Sequence, residues 1–372
     1  MKILYDGHVY RMQPVGGISR YLVNVVNRLP EAWTPVITIG NTKQLEFRQL
    51  RLPAHPNLAL QRFPAPCLRP KRLLNWASKK YFAKFEAAGD FSLVHSVHHG
   101  SLAALRQTKR PVPFVLTIHD MIPEIFNRAM DARGNDVMLK RRAVESADAV
   151  ICVSHNTRKD LLERIRLPED RVFVTHLASE LSREMSFGDE RIPDRPYFLF
   201  VGARKNTYKN FVRLLQAFSR VAEKRADLCL CVAGPAFDPL ERRLIADLKI
   251  DERVKNISAV TDPHLAKLYR CSAALVCPSI YEGFGIPPLE AMACGSLAVV
   301  ANTSSLPEVA GASAIQVSPD SVESIADGMF QVLNLGADQR RERIVNGRAW
   351  AARFDWNKTA SDTISVYNTL AS

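Results

Sequence analysis

Short apolar runs alternate with longer amphipathic stretches along almost the whole chain. In the first half the runs cover 2–5, 36–39, 93–97, 113–118, 149–153 and 172–175; in the second, 197–201, 228–233, 254–259, 274–277 and 297–300. Runs of this length bounded by turn residues predict buried strands. The stretches between them read as helices, notably 17–29 and 154–166, where Ser154 suits an N-cap because its hydroxyl can accept a free backbone N–H. Strand and helix alternating in this way predict an α/β protein with doubly wound parallel sheets. Residues 183–196 break the rhythm with polar side chains, two prolines and one glycine, which predicts a linker. The expected division is an N-terminal domain over 1–182, a linker over 183–196, a C-terminal domain over 197–355 and a last helix over 356–372. No short repeat relates the two halves, which share architecture rather than sequence.

Composition narrows the class. A chain of 372 residues suits two domains, each able to bury its own core. An apolar content of 47% with 24% charged residues is that of an ordinary soluble protein. No apolar run approaches the roughly 18 residues that cross a bilayer. The start, Met1-Lys2-Ile3-Leu4-Tyr5-Asp6-Gly7, carries charge too early for a signal peptide and reads as a first strand. Seven cysteines with no Cys-x-x-Cys pair argue for reduced thiols and a cytoplasmic setting. Cys229 and Cys231 share one face of an apolar strand and read as packing residues.

The formal charge of +12 calls for an anionic partner. No zinc spacing, RNA-binding aromatic signature or helix-turn-helix pattern occurs, so nucleic acid is not expected. Six cations and no acid lie over 69–85: Arg69, Lys71, Arg72, Lys79, Lys80 and Lys84. On a helix, Leu74, Ala77, Tyr81 and Phe85 form an apolar stripe beside them. Two readings stay open: an interfacial helix on the inner face of the cell membrane, or a surface helix whose stripe packs on the core.

The chemistry concentrates late in the chain. Tyr281-Glu282-Gly283-Phe284-Gly285-Ile286-Pro287-Pro288-Leu289-Glu290-Ala291-Met292-Ala293 sets two carboxylates eight positions apart around a turn that opens a helix. Pro287 or Pro288 suits the first helical position. The free N–H groups and dipole of that helix start favour an anion, so a phosphorylated ligand could sit there while carboxylates hold hydroxyls. A glutamate near a helix start is also common on electrostatic grounds alone, although a capping box would need Ser or Thr where Pro287 stands. Gly283-Phe284-Gly285 begins like a dinucleotide fingerprint, but Pro288 occupies the place of the third glycine and argues against a nicotinamide site.

After the run 197–201 comes Gly202-Ala203-Arg204-Lys205-Asn206-Thr207-Tyr208-Lys209-Asn210. Cations between a strand end and a helix suit a diphosphate at the open edge of a sheet, with a solvated basic loop as the plain alternative. Gly16-Gly17-Ile18-Ser19-Arg20 opens the first long helix, where paired glycines let a ligand approach backbone N–H groups or simply make a tight turn. Thr117-Ile118-His119-Asp120 ends a strand at the same kind of edge, though a lone histidine is often a satisfied structural group. No Asp-x-Asp pair exists to hold a metal under a diphosphate, and no Gly-x-Ser-x-Gly elbow supports a serine hydrolase.

Together these segments closely resemble the Glu-x7-Glu signature of family 4 retaining glycosyltransferases, the glycogen-synthase-like enzymes. The resemblance covers essentially the whole chain and implies the GT-B fold: two Rossmann-like doubly wound domains facing across a cleft, with the last helix crossing back onto the first. It implies that Glu290 binds the ribose hydroxyls of a nucleotide-sugar and Glu282 contacts the donor sugar, with Gly283, Phe284, Gly285 and Ile286 around the donor. The family carries an Arg and a Lys that neutralise the departing diphosphate; by spacing Arg204 and Lys209 match them, with Lys205 as a rival. His119 resembles the family histidine that contacts the donor sugar, and Gly16 and Gly17 its diphosphate-facing loop. Ser304-Ser305-Leu306-Pro307-Glu308 matches a further family segment, with Glu308 supporting the local fold.

The implied activity is a retaining, metal-independent transfer of a hexose from a nucleoside diphosphate sugar to a lipid-linked glycan or lipopolysaccharide. GDP-mannose is the first choice of donor. An epimerase or phosphorylase of the same fold, and a non-catalytic basic protein on the same scaffold, are the alternatives.

Overall fold

Valine, isoleucine, leucine and phenylalanine crowd the short runs, and stiff or bulky side chains of this kind fit a strand buried on both faces. A computed structural model describes residues 1–12, 16–40, 50–64, 71–99, 112–126, 131, 134–204 and 207–371. Its first sheet contains β1 (Lys2–Tyr5), β2 (Thr34–Ile39), β3 (Ala59–Arg62), β4 (Leu93–Ser96), β5 (Phe114–Ile118), β6 (Ala149–Cys152) and β7 (Val172–Val174). The second contains β8 (Tyr197–Val201), β9 (Cys229–Ala233), β10 (Val254–Ile257), β11 (Ala274–Cys277), β12 (Ala298–Ala301) and β13 (Ile315–Val317). Two of these strands escape the apolar pattern. β3 is an edge strand of partly exposed residues, Ala-Leu-Gln-Arg, and β13 is only three residues long.

Every described pairing is parallel. The orders are β3-β2-β1-β4-β5-β6-β7 and β10-β9-β8-β11-β12-β13. In each sheet the chain first winds outward on one side and then returns to wind outward on the other, so the order reverses at β1/β4 and at β8/β11. Loops leaving the carboxyl ends of strands at such a point diverge and leave room for a ligand. Leu4, Val94, Leu116 and Val150 from the first sheet lie in one buried cluster, and Phe198, Leu230, Val276 and Val299 from the second lie in another.

The chain forms two compact units, residues 1–177 with 356–372, and residues 178–355. Within the first unit, the Trp356–Ala371 helix packs on the Gly17–Val26 helix. Its Tyr367 hydroxyl meets the hydroxyl of Tyr5 at 3.1 Å and Nδ1 of His95. Residues 183–196 lie within the second unit, where Lys267 donates to the Gly188 carbonyl and Arg270 to that of Ser186. Ser154 caps the His155–Arg164 helix, its Oγ accepting from the Thr157 N–H at 2.9 Å.

The basic segment forms the helix Lys71–Ala88. Its buried face is rotated from the expected stripe: Ser78, Phe82 and Glu86 are buried, with Tyr81 and Phe85 only partly covered beside them. Phe82 contacts Tyr81 edge-on, and Phe63 packs against both rings. Trp76 points outward at 57% exposure, with the Lys80 ammonium 4.0 Å above its ring. No described helix is long and apolar enough to cross a membrane.

Candidate active site

Strand order decides which loops become neighbours. β8 pairs with β9 on one side and β11 on the other, so the loops 202–210 and 278–285 leave adjacent strands of the second sheet. The Ile280 N–H donates to the Tyr208 carbonyl at 2.7 Å and ties them. Asn210 ties the same region again, its Nδ2 donating to the carbonyls of Pro278 (2.9 Å) and Pro319 (2.7 Å). Asn210 sits at φ 59°, a left-handed conformation that asparagine tolerates better than most residues, and starts the Phe211–Lys224 helix.

Lys209 and Glu282 meet here. Nζ donates to Oε1 at 2.6 Å, and both side chains are largely buried. Burial pulls the Lys209 pKa down, but the Glu282 charge and hydrogen bond outweigh it, so the ammonium is held above its ordinary value. Seventy-three residues apart in sequence, the two form a fixed ion pair at the open end of the sheet.

The loop carrying Glu282 hangs from residues 303–305. Thr303 Oγ1 donates to the Ile280 carbonyl at 3.0 Å, and the Glu282 N–H donates to Ser304 Oγ at 3.0 Å. Ser305 Oγ lies 2.8 and 2.7 Å from the carbonyls of Glu282 and Phe284. The next helix, Ile286–Ala293, starts one residue before the first of the two prolines, from Gly285 at φ 107°. That left-handed conformation favours glycine, and a Cβ there would in addition displace the Leu306 Cδ2 methyl, 2.9 Å away.

Glu290 lies one turn inside that helix and is 4% exposed. Its Oε2 accepts a hydrogen bond from the Tyr269 hydroxyl at 2.9 Å. Burial first, and the neighbouring Glu290 carboxylate second, push the Tyr269 pKa well above the usual phenol range, so it stays a donor. The sequence carried no signal for Tyr269, which comes from the Asp262–Cys271 helix.

Arg204 is differently engaged. Its Nε and Nη2 donate to the two carboxylate oxygens of Glu241 at 2.7 and 3.2 Å, and Nη2 also to the carbonyls of Pro235 and Ala236. The guanidinium lies 5.3 Å from the Phe211 ring centre and 4.9 Å from that of Phe237. The side chain is 3% exposed, and Nη1 is buried without a hydrogen-bond partner. This arrangement staples the loop after β8 to the loop after β9. Lys205, the rival in the same loop, lies outside the described residues.

In the first unit, His119 follows β5 and meets Tyr21 edge-on at 5.4 Å. Its Nε2 is buried without a hydrogen-bond partner. Burial lowers its pKa to about 4, against the opposing pulls of the Asp120 charge and a hydrogen bond to the Val97 carbonyl. His119 is therefore a neutral imidazole near pH 7. Asp120 Oδ1 accepts from the Ile122 N–H at 3.0 Å and holds the start of the Ile122–Phe126 helix. Gly16 has an extended backbone; its N–H donates to Ser19 Oγ and its carbonyl accepts from the same hydroxyl, both at 3.0 Å, just before Gly17 opens the helix.

Two further histidines were not singled out by any motif. His98 and His99 follow β4 and stack at 4.1 Å, and His99 Nε2 lies 2.8 Å from Asp136 Oδ1. Burial, then the neighbouring His99 and His8, bring the His98 pKa down to about 3. Only the adjacency of β1, β4 and β5 gathers these side chains.

Chemically, the second unit offers a cation, two buried carboxylates and a helix start. Such a set suits a ligand that combines phosphate with vicinal hydroxyls.

Comparison with known proteins agrees. Residues 15–183 match the model described as Glycosyltransferase Family 4, and residues 182–350 match that described as Glycosyl transferases group 1. The chain is 30% identical over 240 residues to the O-antigen chain mannosyltransferase B of Escherichia coli, covering 61% of this chain and 62% of that protein. It is 28% identical over 279 residues to the serotype-specific mannosyltransferase WbdA of the same organism, covering 70% of this chain but only 34% of that protein. The matches thus span less than two thirds of these relatives. Sucrose-phosphate synthase from Thermosynechococcus elongatus superposes with a TM-score of 0.78 at 21% identity, over 100% of this chain and 99% of that one, which shows the fold.

Proposed function

The chain belongs to family 4 of the glycosyltransferases, with the GT-B fold, and from that premise we propose a retaining, metal-independent transfer of mannose from GDP-mannose to a hydroxyl of a lipid-linked glycan or lipopolysaccharide. The observation that carries the reading is the Lys209–Glu282 pair beside β8 and β11, with buried Glu290 eight residues beyond Glu282. In this reading Lys209 and the N–H groups at the start of the Ile286–Ala293 helix neutralise the diphosphate as it leaves, where fixed charge is worth most. Glu290 accepts from the ribose hydroxyls, and Glu282, anchored by Ser304 and Ser305, faces the sugar. Arg204 shapes the loop that presents Lys209. Neutral His119 serves as a hydrogen-bonding group for sugar hydroxyls rather than as a cation. The two mannosyltransferase relatives support the choice of sugar, and one of them, named for an O-antigen chain, supports the choice of a glycan acceptor.

A thermal-shift screen with UDP, GDP, ADP and dTDP tests the donor. A ligand that binds only the folded chain raises its apparent stability by mass action. GDP is expected to give the largest rise. If all four leave the melting temperature unchanged, the donor site is not where we put it.

A further inference from the structure

Glu290 can discriminate a ligand only if its carboxylate is held in one orientation, and the fold supplies a holder. Tyr269 reaches Glu290 Oε2 from a separate helix, at 2.9 Å, with both side chains buried. That helix is itself fixed in place. Thr261 caps its start, with Oγ1 accepting from the His264 N–H. At its end the Ser272 N–H and Oγ both donate to the Tyr269 carbonyl, at 3.1 and 2.8 Å. Ser272 Oγ also meets Ser296 Oγ at 2.9 Å, just beyond the Ile286–Ala293 helix that carries Glu290. The segments that follow the two helices are thus tied together three residues beyond Tyr269, and the phenol donor is placed rather than merely nearby.

We propose that Tyr269 is a positioning residue that sets the ribose specificity of the nucleotide site by fixing the plane of the Glu290 carboxylate. The inference rests on the proposed role of Glu290. A hydroxyl pair on a ribose needs two correctly directed acceptor lone pairs, and a carboxylate turned from the plane that the Tyr269 hydroxyl favours loses that match without losing its charge. Removing the phenol oxygen should therefore erode discrimination between ribose and deoxyribose more than it erodes nucleotide binding as such.

The test is calorimetric titration of the full chain with GDP and with its 2′-deoxy and 3′-deoxy forms, or with the corresponding set for whichever diphosphate the thermal-shift screen selects. Wild type should prefer the ribonucleotide. Tyr269→Phe should raise the Kd of the ribonucleotide about tenfold, leave the deoxy forms within about twofold, and so flatten the preference. Tyr269→His, which keeps a ring N–H donor, should recover part of it and provides a second reading should the phenylalanine variant fold poorly. In an E290Q background, Y269F should add little, because residues acting through one another are not additive. Weakening of all three ligands by the same factor would make Tyr269 purely structural and overturn the proposal. An undiminished ribose preference in Y269F would overturn it while leaving Glu290 in place. A wild type without any ribose preference would remove the role of Glu290 and this inference together.

Discussion

At the scale of single residues, charge and burial separate the candidate side chains by what their loss should do. Glu290→Ala removes an acceptor carboxylate, and hydrogen bonds to charged groups contribute roughly 1.5–3 kcal/mol each. Donor affinity should fall about tenfold to a hundredfold, read as Kd for the nucleoside diphosphate, with turnover less affected. Lys209→Ala should act the other way, lowering kcat by about a hundredfold with a smaller change in KM, because in the proposed role its ammonium matters most as the diphosphate departs. Unchanged kcat would take Lys209 out of the mechanism. Arg204→Ala removes the guanidinium that bonds Glu241 and two backbone carbonyls, so its melting temperature should drop together with its activity. A variant that loses turnover at wild-type stability would show that Arg204 meets the diphosphate directly.

Histidine burial gives a pH signature. His95 is fully buried, with its pKa lowered to about 3 chiefly by burial; its Nε2 lies 2.8 Å from Thr117 Oγ1, and its Nδ1 meets the Tyr367 hydroxyl. His98 and His119 are lowered as well, to about 3 and about 4. Each group binds its proton more weakly in the folded than in the unfolded chain. The stability they allow is therefore present above the unfolded value near 6.5 and is lost as pH falls from there towards 4, at up to about 1.4 kcal/mol per pH unit for each histidine. Urea titrations at pH 7.5 and pH 5 should show this loss, and His95→Asn should reduce the difference. Equal midpoints at the two pH values would mean that these imidazoles are not buried neutral.

At the scale of elements, the Lys71–Ala88 helix presents two faces with different consequences. Phe82 belongs to the first core, so Phe82→Ala should destabilise that unit by about 3–5 kcal/mol. The outward face carries Trp76, Lys80 and Lys84, all exposed. An aromatic ring among lysines suits the boundary of an anionic bilayer, where each cation contributes about 1 kcal/mol and salt screens it. Replacing Arg72, Lys79, Lys80 and Lys84 by Gln should release the chain from anionic vesicles while sparing transfer to a short water-soluble acceptor. Equal pelleting of variant and wild type at low salt would assign the lysines to solvent alone.

At the scale of the whole molecule, the prediction concerns the reaction. With no Asp-x-Asp in the chain and Lys209 beside Glu282, transfer should proceed in excess EDTA. Loss of activity on chelation, restored by manganese or magnesium, would put a metal where we put a lysine. The product should keep the anomeric configuration of the donor, which proton NMR of the glycoside reads directly.

The sequence alone settled what depends on local periodicity and spacing. Short apolar runs determined parallel strands, because a strand covered by helices on both faces must be apolar throughout. The Gly285 turn and the eight-residue interval from Glu282 to Glu290 were visible for the same reason, since both are geometry within one loop and one helix. The edge strand β3 was missed because its half-exposed residues carry no apolar run. The partnerships between elements were decided only by tertiary structure. Lys209 meets Glu282 because β8 lies against β11, Glu241 takes Arg204 because the loop after β9 lies beside the loop after β8, and Tyr269 reaches Glu290 because their two helices pack against each other. The basic helix likewise chose Phe82 for the core by the fit of its neighbours, Phe63 among them. Such choices follow from strand order and from burying whole faces at once, and no window of sequence contains them.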